Sequence, residues 1–193
     1  MLSLRTVTPD TLELLKALMS APELSSLRLV GGTALALQYG HRVSVDLDLF
    51  GEVAIDKFEL LTLLQGLGEV RVINETKNIH QYFVNGIKVD IVNYPYSWID
   101  APVEDDSIRL ASPKDIAALK INAIEGRGTK KDFIDMYLLL QHYSLEEILT
   151  FYQQKYPDYS IFRALRSLTY FDDADDQIIG YQFVSLGKMT DFI

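Results

Sequence analysis

Asn85-Gly86 stands between two alternating apolar runs, Ile79 to Val84 and Ile87 to Tyr94. An Asn-Gly pair readily takes the positive φ angles of a two-residue turn, so this stretch predicts a tight antiparallel hairpin. The second run, Ile87-Lys88-Val89-Asp90-Ile91-Val92, is apolar enough to lie centrally in a sheet, yet it carries an acid. A buried carboxylate without a partner is costly. Either Lys88 or a backbone amide satisfies Asp90, or a cation does.

The rest of the chain supplies the neighbours such a strand needs. Thr8-Pro9 reads as an N-cap with proline at the first helical position, opening a helix to Met19. Leu27 to Val30 is a short apolar strand broken by Gly31-Gly32, and Thr33 to Tyr39 is a helix. Val43 to Phe50 alternates as a strand, Asp56 to Leu64 is an amphipathic helix, and Glu69 to Ile73 is a strand. After Pro102 the pattern turns helical. Ser112-Pro113 starts one helix, to Ile124, and Lys131 to His142 forms another. Ser144 with Glu147 is a capping box opening a third, to about Tyr156, and Tyr159 to Tyr170 forms a fourth. The expected architecture is α/β (α+β): a mixed sheet with flanking helices over residues 1–105, then a helical portion over 106–193.

Two further stretches carry chemistry. Asp46 and Asp48 are two apart on a predicted strand, so they share a face with Phe50. Two like charges 4 Å apart at an effective dielectric of 20 cost ~4 kcal/mol. Such a pair is tolerated either in open water or around a divalent cation. If the Asp90 strand lies alongside, three carboxylates converge, which is the ligand set of a two-metal site for phosphoryl transfer. Gly31-Gly32-Thr33 sits where a strand turns into a helix. Glycine admits close approach of a ligand to the backbone, and free N–H groups at a helix start favour anions. A triphosphate laid there would point its oxygens toward metal held by the aspartates.

On the helical side, Ile116, Lys120, Ala123 and Arg127 form one row. Lys120 either snorkels to water or reaches a nucleotide phosphate. Asp132 and Asp135 either orient Lys120 or Arg127, or are ordinary acids of a helix first turn. His41-Arg42 is either a phosphate contact or a surface loop. Tyr94, Tyr96 and Trp98 either stack a base or belong to the core.

Gly31 to Phe50, GGTALALQYGHRVSVDLDLF, resembles the core motif of the nucleotidyltransferase superfamily, and most closely that of the AbiEii/AbiGii toxin family. Ser44-Val45-Asp46-Leu47-Asp48-Leu49 fits its Ser-x-Asp-x-Asp-Leu pattern. KINAIEGRGTKKDFIDMYLL resembles a second family motif, with Lys120, Arg127, Asp132 and Asp135 on its positions and Lys131 where arginine is common. Thr169 to Asp175, TYFDDAD, resembles a late segment. The resemblance implies transfer of a nucleoside monophosphate from an NTP to an acceptor hydroxyl, with release of pyrophosphate. It implies two Mg2+ ions, or Mn2+, on Asp46, Asp48 and Asp90, with Asp90 also helping to deprotonate the acceptor. Gly31, Gly32 and Thr33 would cradle the triphosphate and Lys120 balance its charge. Ser44, Arg127, Asp132 and Asp135 would complete the nucleotide site. A toxin role, an antitoxin protein partner and an RNA acceptor, tRNA in particular, are implied too.

Composition restrains these expectations. The 193 residues are 48% hydrophobic and contain no cysteine, which excludes disulfides, a thiolate nucleophile and a zinc-thiolate site. No apolar run is long enough to span a membrane, and a cytoplasmic protein is expected. The formal net charge of −9 repels nucleic acid, so an RNA acceptor needs a local basic patch. That charge favours a rival, an antibiotic-modifying enzyme that draws in cationic small molecules. A non-catalytic nucleotide-binding relative would have no use for all three carboxylates. An Asp-x-Asp phosphatase of the haloacid-dehalogenase type wants Thr or Val where Phe50 stands.

Overall fold

The computed structural model describes residues 1–170 and Ala174. The acidic run from Asp172 to Asp176, like most of the late motif, lies outside the described residues, Ala174 apart.

The expected hairpin forms. Asn85 and Gly86 take φ of 51° and 79° and join β4 (Ile79–Val84) to β5 (Ile87–Asn93). These two strands sit in a seven-stranded mixed sheet of order β3-β4-β5-β2-β1-β7-β6. The remaining strands are β1 (Arg28–Leu29), β2 (Leu47–Gly51), β3 (Val70–Glu75), β6 (Val103–Asp105) and β7 (Ile108–Leu110). β5 is flanked by β4 and β2, as its composition requires. Val89 and Ile91 on one face are fully buried with Leu49 and Leu47 of the neighbouring strand.

Helices follow the capping residues. Thr8 caps α1 (Pro9–Ser20), Asp56 caps α3 (Lys57–Gln65), Ser112 caps α4 (Pro113–Gly126) and Ser144 caps α6 (Leu145–Lys155), each accepting a backbone N–H. α2 (Gly31–Tyr39), α5 (Lys130–Leu140) and α7 (Ile161–Leu168) complete the set. α4 is the hub of the helical part: α5, α6, α7 and α2 all pack on it.

Three expectations change. β2 begins at Leu47, not Val43, because Ser44 N–H bonds to Thr6 O instead of a strand neighbour, so Asp46 precedes the strand rather than lying on it. α2 starts at Gly31 rather than Thr33. The β6–β7 hairpin, unexpected in the sequence, turns on Asp106 and Ser107, both at positive φ. β7 follows residue 105 yet pairs in parallel with β1.

Candidate active site

The register of β2 against β5 sets Asp48 directly beside Asp90. Both side chains leave the face opposite the buried Leu47, Leu49, Val89 and Ile91. Asp46 lies just before them. Asp48 feels both: burial first, then the charges of Asp90 and Asp46, push its carboxyl up to about 6 from 3.8, against the pull of Lys88 and Lys120. The two oxygens of Asp90 differ. Oδ2 accepts from Lys88 Nζ and from Gln81 Nε2, each at 2.8 Å, whereas Oδ1 is buried and has no partner. Lys88 therefore satisfies half of this carboxylate.

Asp48 reaches the Gly-Gly turn. A Cβ added to Gly31, whose φ is +69°, would stand 2.4 Å from Asp48 Oδ2. One added to Gly32 would stand 1.8 Å from Arg42 Nη2 and 3.2 Å from Asp135 Oδ2. Only glycine fits at both positions, and the backbone at the start of α2 is thereby pressed between two charged groups. No side chain caps this helix start. Thr33, by contrast, is buried and turned inward. Its hydroxyl donates to Asp46 O and lies 2.8 Å from Ser44 Oγ. Thr33 and Ser44 thus tie α2 to the segment that carries Asp46.

A buried ionic cluster stands behind the turn. Asp135 binds Arg42 Nε and Nη2 at 2.7 and 2.9 Å, His41 Nε2 at 2.8 Å and Lys120 Nζ at 2.6 Å. Lys120 also meets Asp132 Oδ1 at 3.0 Å, and Arg127 meets Asp132 Oδ2 at 2.9 Å. His41 and Arg42 are therefore interior groups and not a surface loop. Burial alone would raise the carboxyl of Asp135. Lys120 and the hydrogen bonds of Arg42 and His41 instead hold it well below the usual range, and Asp132 is lowered as well by Arg127 and Lys120. Burial pulls Lys120 down, but Asp135 and Asp132 raise it on balance, so it stays charged.

Both readings of Asp132 hold together: it is the N3 acid of a capping box with Thr129 and it fixes the two cations. Lys120 does not snorkel, since its ammonium is enclosed by carboxylates at 6% side-chain exposure. Arg127 is the opposite case, 66% exposed and within the field of Asp48 and Asp90. Tyr94, Tyr96 and Trp98 are half-buried and form an aromatic cluster, Tyr96 and Trp98 packing against the core. Tyr94 Oη meets Tyr156 Oη at 2.7 Å, and the buried Lys155 ammonium lies 4.5 Å from the Trp98 ring centre.

Among the described residues no three acidic or histidine side chains form a ready cage for a metal ion. The residues fit a divalent cation even so. Their donors are all oxygen, as magnesium prefers, and that ion keeps positions for water and phosphate. Asp90 Oδ1 is buried without a partner, and Asp48 is strained by its acidic neighbours. Each would be relieved by a cation.

This arrangement, a helix start packed on an acid pair borne by adjacent strands, belongs to a nucleotidyltransferase fold. The solved structure of ANT(2")-Ia in complex with adenylyl-2"-tobramycin is similar in fold, with a TM-score of 0.57 and 19% identity over 79% of this chain and all of that one. JHP933 from Helicobacter pylori matches with a TM-score of 0.51 and 19% identity over 84% of this chain and 90% of that one. An uncharacterized Aquifex aeolicus protein, aq_aa25, is 32% identical over 181 residues, 91% of this chain and 88% of its own. The model of the AbiEii family, described as nucleotidyl transferase AbiEii toxin of type IV TA systems, matches residues 13–174. The chain belongs to that family. No helix among the described residues is long and apolar enough to cross a membrane.

Proposed function

We propose that this chain moves a nucleoside monophosphate from an NTP to an acceptor hydroxyl, with pyrophosphate leaving, as the toxin of a toxin–antitoxin pair. The observation that carries this reading is the placement of Asp48 beside Asp90 and against Gly31, with Asp90 Oδ1 buried and unpartnered. Asp46, Asp48 and Asp90 would hold magnesium, which when bound supplies charge neutralisation on the phosphate oxygens and orients the reacting groups. The backbone of Gly31 and Gly32 would meet the triphosphate at the start of α2. Arg127 contacts its outer oxygens from the rim, and Lys120, braced by Asp132 and Asp135, lends positive charge from beneath. Asp90 would also help to take the acceptor proton. The proposed acceptor is an RNA, tRNA among the candidates, in keeping with membership of a toxin family.

The net charge of −9 favours a second reading, in which the acceptor is a cationic small molecule. Incubation with each α-labelled NTP, magnesium, total RNA and an aminoglycoside separates the two. Label in the RNA fraction, lost with Asp46→Asn, is the expected result. Label on the aminoglycoside alone would establish the second reading, and label on neither would overturn both.

A further inference from the structure

Lys88 is a charged group at the carboxylates with no assigned part in the transfer. It lies two residues before Asp90 on the same strand face, and its ammonium sits 2.8 Å from Asp90 Oδ2. Leu47 pairs with Val89 and Asp48 with Asp90. Asp46 immediately precedes this paired stretch, and its field reaches the Lys88 ammonium. The ammonium therefore belongs to the same patch as all three acids. Burial opposes its charge, but the bond to Asp90 and the fields of Asp90, Asp48 and Asp46 outweigh burial. Its side chain remains 34% exposed, so it has somewhere else to go.

We propose that Lys88 is an internal counter-cation that competes with divalent metal for Asp90, so that the site takes its metal together with triphosphate and not before it. In the protein alone the ammonium neutralises part of a patch that would otherwise repel itself. A divalent ion arriving by itself meets that positive charge a few ångströms away, where like charges repel strongly. A triphosphate changes the balance. The four-carbon stem of lysine lets the ammonium swing from the carboxylate to a phosphate oxygen, which frees Asp90 for metal and adds a contact to the nucleotide. Metal and triphosphate then bind with positive coupling, and the coupling is reciprocal.

This inference rests on the proposed nucleotide site, and its test separates the two. Binding of Mn2+ is measured by calorimetry or electron paramagnetic resonance, with and without inorganic triphosphate. The measurement covers the parent, Lys88→Met and Lys88→Arg, each checked for folding by circular dichroism. The parent should bind Mn2+ weakly alone and more tightly with triphosphate. Lys88→Met should bind Mn2+ alone at least about fivefold more tightly than the parent, the low end of ordinary coupling, and gain less from triphosphate. Lys88→Arg, which keeps the charge, should stay near the parent. Should Lys88→Met fail to fold, Lys88→Gln serves the same comparison. Equal or weaker binding of Mn2+ by the uncharged variants, with coupling intact in the parent, overturns the role of Lys88 and leaves the nucleotide site standing. No binding of Mn2+ in any combination overturns both.

Discussion

Asp135 holds Arg42 with both carboxylate oxygens, Oδ1 on Nε at 2.7 Å and Oδ2 on Nη2 at 2.9 Å, across 93 positions of chain. The same guanidinium lies against the backbone of Gly32. The pair therefore welds α5 to the start of α2. It is a bidentate, buried contact of the kind lysine cannot reproduce.

Asp135→Asn should accordingly be costly. It would leave Arg42 and Lys120 buried with one charge fewer between them, and breaking such a cluster costs about 3–5 kcal/mol. Arg42→Lys should lose less, because the charge survives while the fork is lost. Urea denaturation of both variants measures this. A loss under about 1 kcal/mol for Asp135→Asn, within the range of exposed pairs, would mean that the cluster does not hold the helices.

The glycines give a graded comparison. Gly31→Ala places a Cβ 2.4 Å from Asp48 Oδ2 at a φ of +69°. The left-handed backbone alone costs about 1–2 kcal/mol, and displacement of Asp48 should remove nucleotide binding as well. Gly32→Ala drives a Cβ into Arg42 and should cost at least as much. Gly126→Ala meets nothing within 4 Å at the end of α4 and should be neutral or stabilising by up to about 1 kcal/mol. Thermal melts in the presence and absence of triphosphate would test all three. Full binding by Gly31→Ala would remove the turn from the site.

What was legible in the sequence was local. Asn85-Gly86 and the caps at Thr8, Ser112 and Ser144 announce themselves because each acts within a few residues. The strand-borne acids Asp48 and Asp90 were legible because charges inside apolar alternation stand out. The β6–β7 turn was not, since Asp106 and Ser107 adopt positive φ without the usual Asn-Gly signal. Nor was the parallel pairing of β1 with β7, which joins Leu29 to Leu110. Arg42 and His41 read equally well as surface, because what buries them is Asp135, far along the chain. The sequence pattern overstates the length of β2 for a related reason. The alternation from Val43 continues through Asp46, but Ser44 bonds to Thr6 instead of a strand.

The acid pair makes a prediction about pH. Burial and the charge of Asp90 push the Asp48 carboxyl up to about 6 from 3.8. Between those values the folded, metal-free protein holds more protons than the unfolded chain. Its stability should therefore fall as pH rises through that window. Asp132 and Asp135 act in the opposite sense: held low, they stabilise at neutral pH and lose that effect in acid. Parent and Asp48→Asn share this acid loss, so their difference isolates Asp48. In EDTA the variant should be more stable than the parent at pH 7.5, by up to about 2–3 kcal/mol, and match it near pH 4. Magnesium together with triphosphate should narrow the gap at pH 7.5 by stabilising the parent. A variant less stable than the parent at pH 7.5 would show that Asp48 is held by favourable hydrogen bonds and is not strained.

The two cations of the second motif should separate cleanly by experiment. Lys120 is enclosed between Asp132 and Asp135, while Arg127 shares Asp132 but stands 66% exposed at the rim. Lys120→Met keeps the stem and removes the charge. It takes a donor from two buried carboxylates that retain Arg127, Arg42 and His41, and a loss of about 1–3 kcal/mol follows for a buried group deprived of one partner. Arg127→Met removes an exposed guanidinium from a buried carboxylate that keeps Lys120 and Thr129, and should cost about 1 kcal/mol, the low end of that range. For triphosphate affinity the order reverses. Arg127 can reach an outer phosphate oxygen without breaking the interior cluster, so Arg127→Met should weaken binding with only a small loss of stability, by about tenfold for a charge-assisted contact of about 1.5 kcal/mol. Lys120→Met should weaken it too, together with the melting temperature. Calorimetric titration with inorganic triphosphate and magnesium, beside urea denaturation of the same samples, reads both axes. If Arg127→Met binds as the parent does while Lys120→Met melts as the parent does, the rim contact and the interior brace have been assigned to the wrong residues.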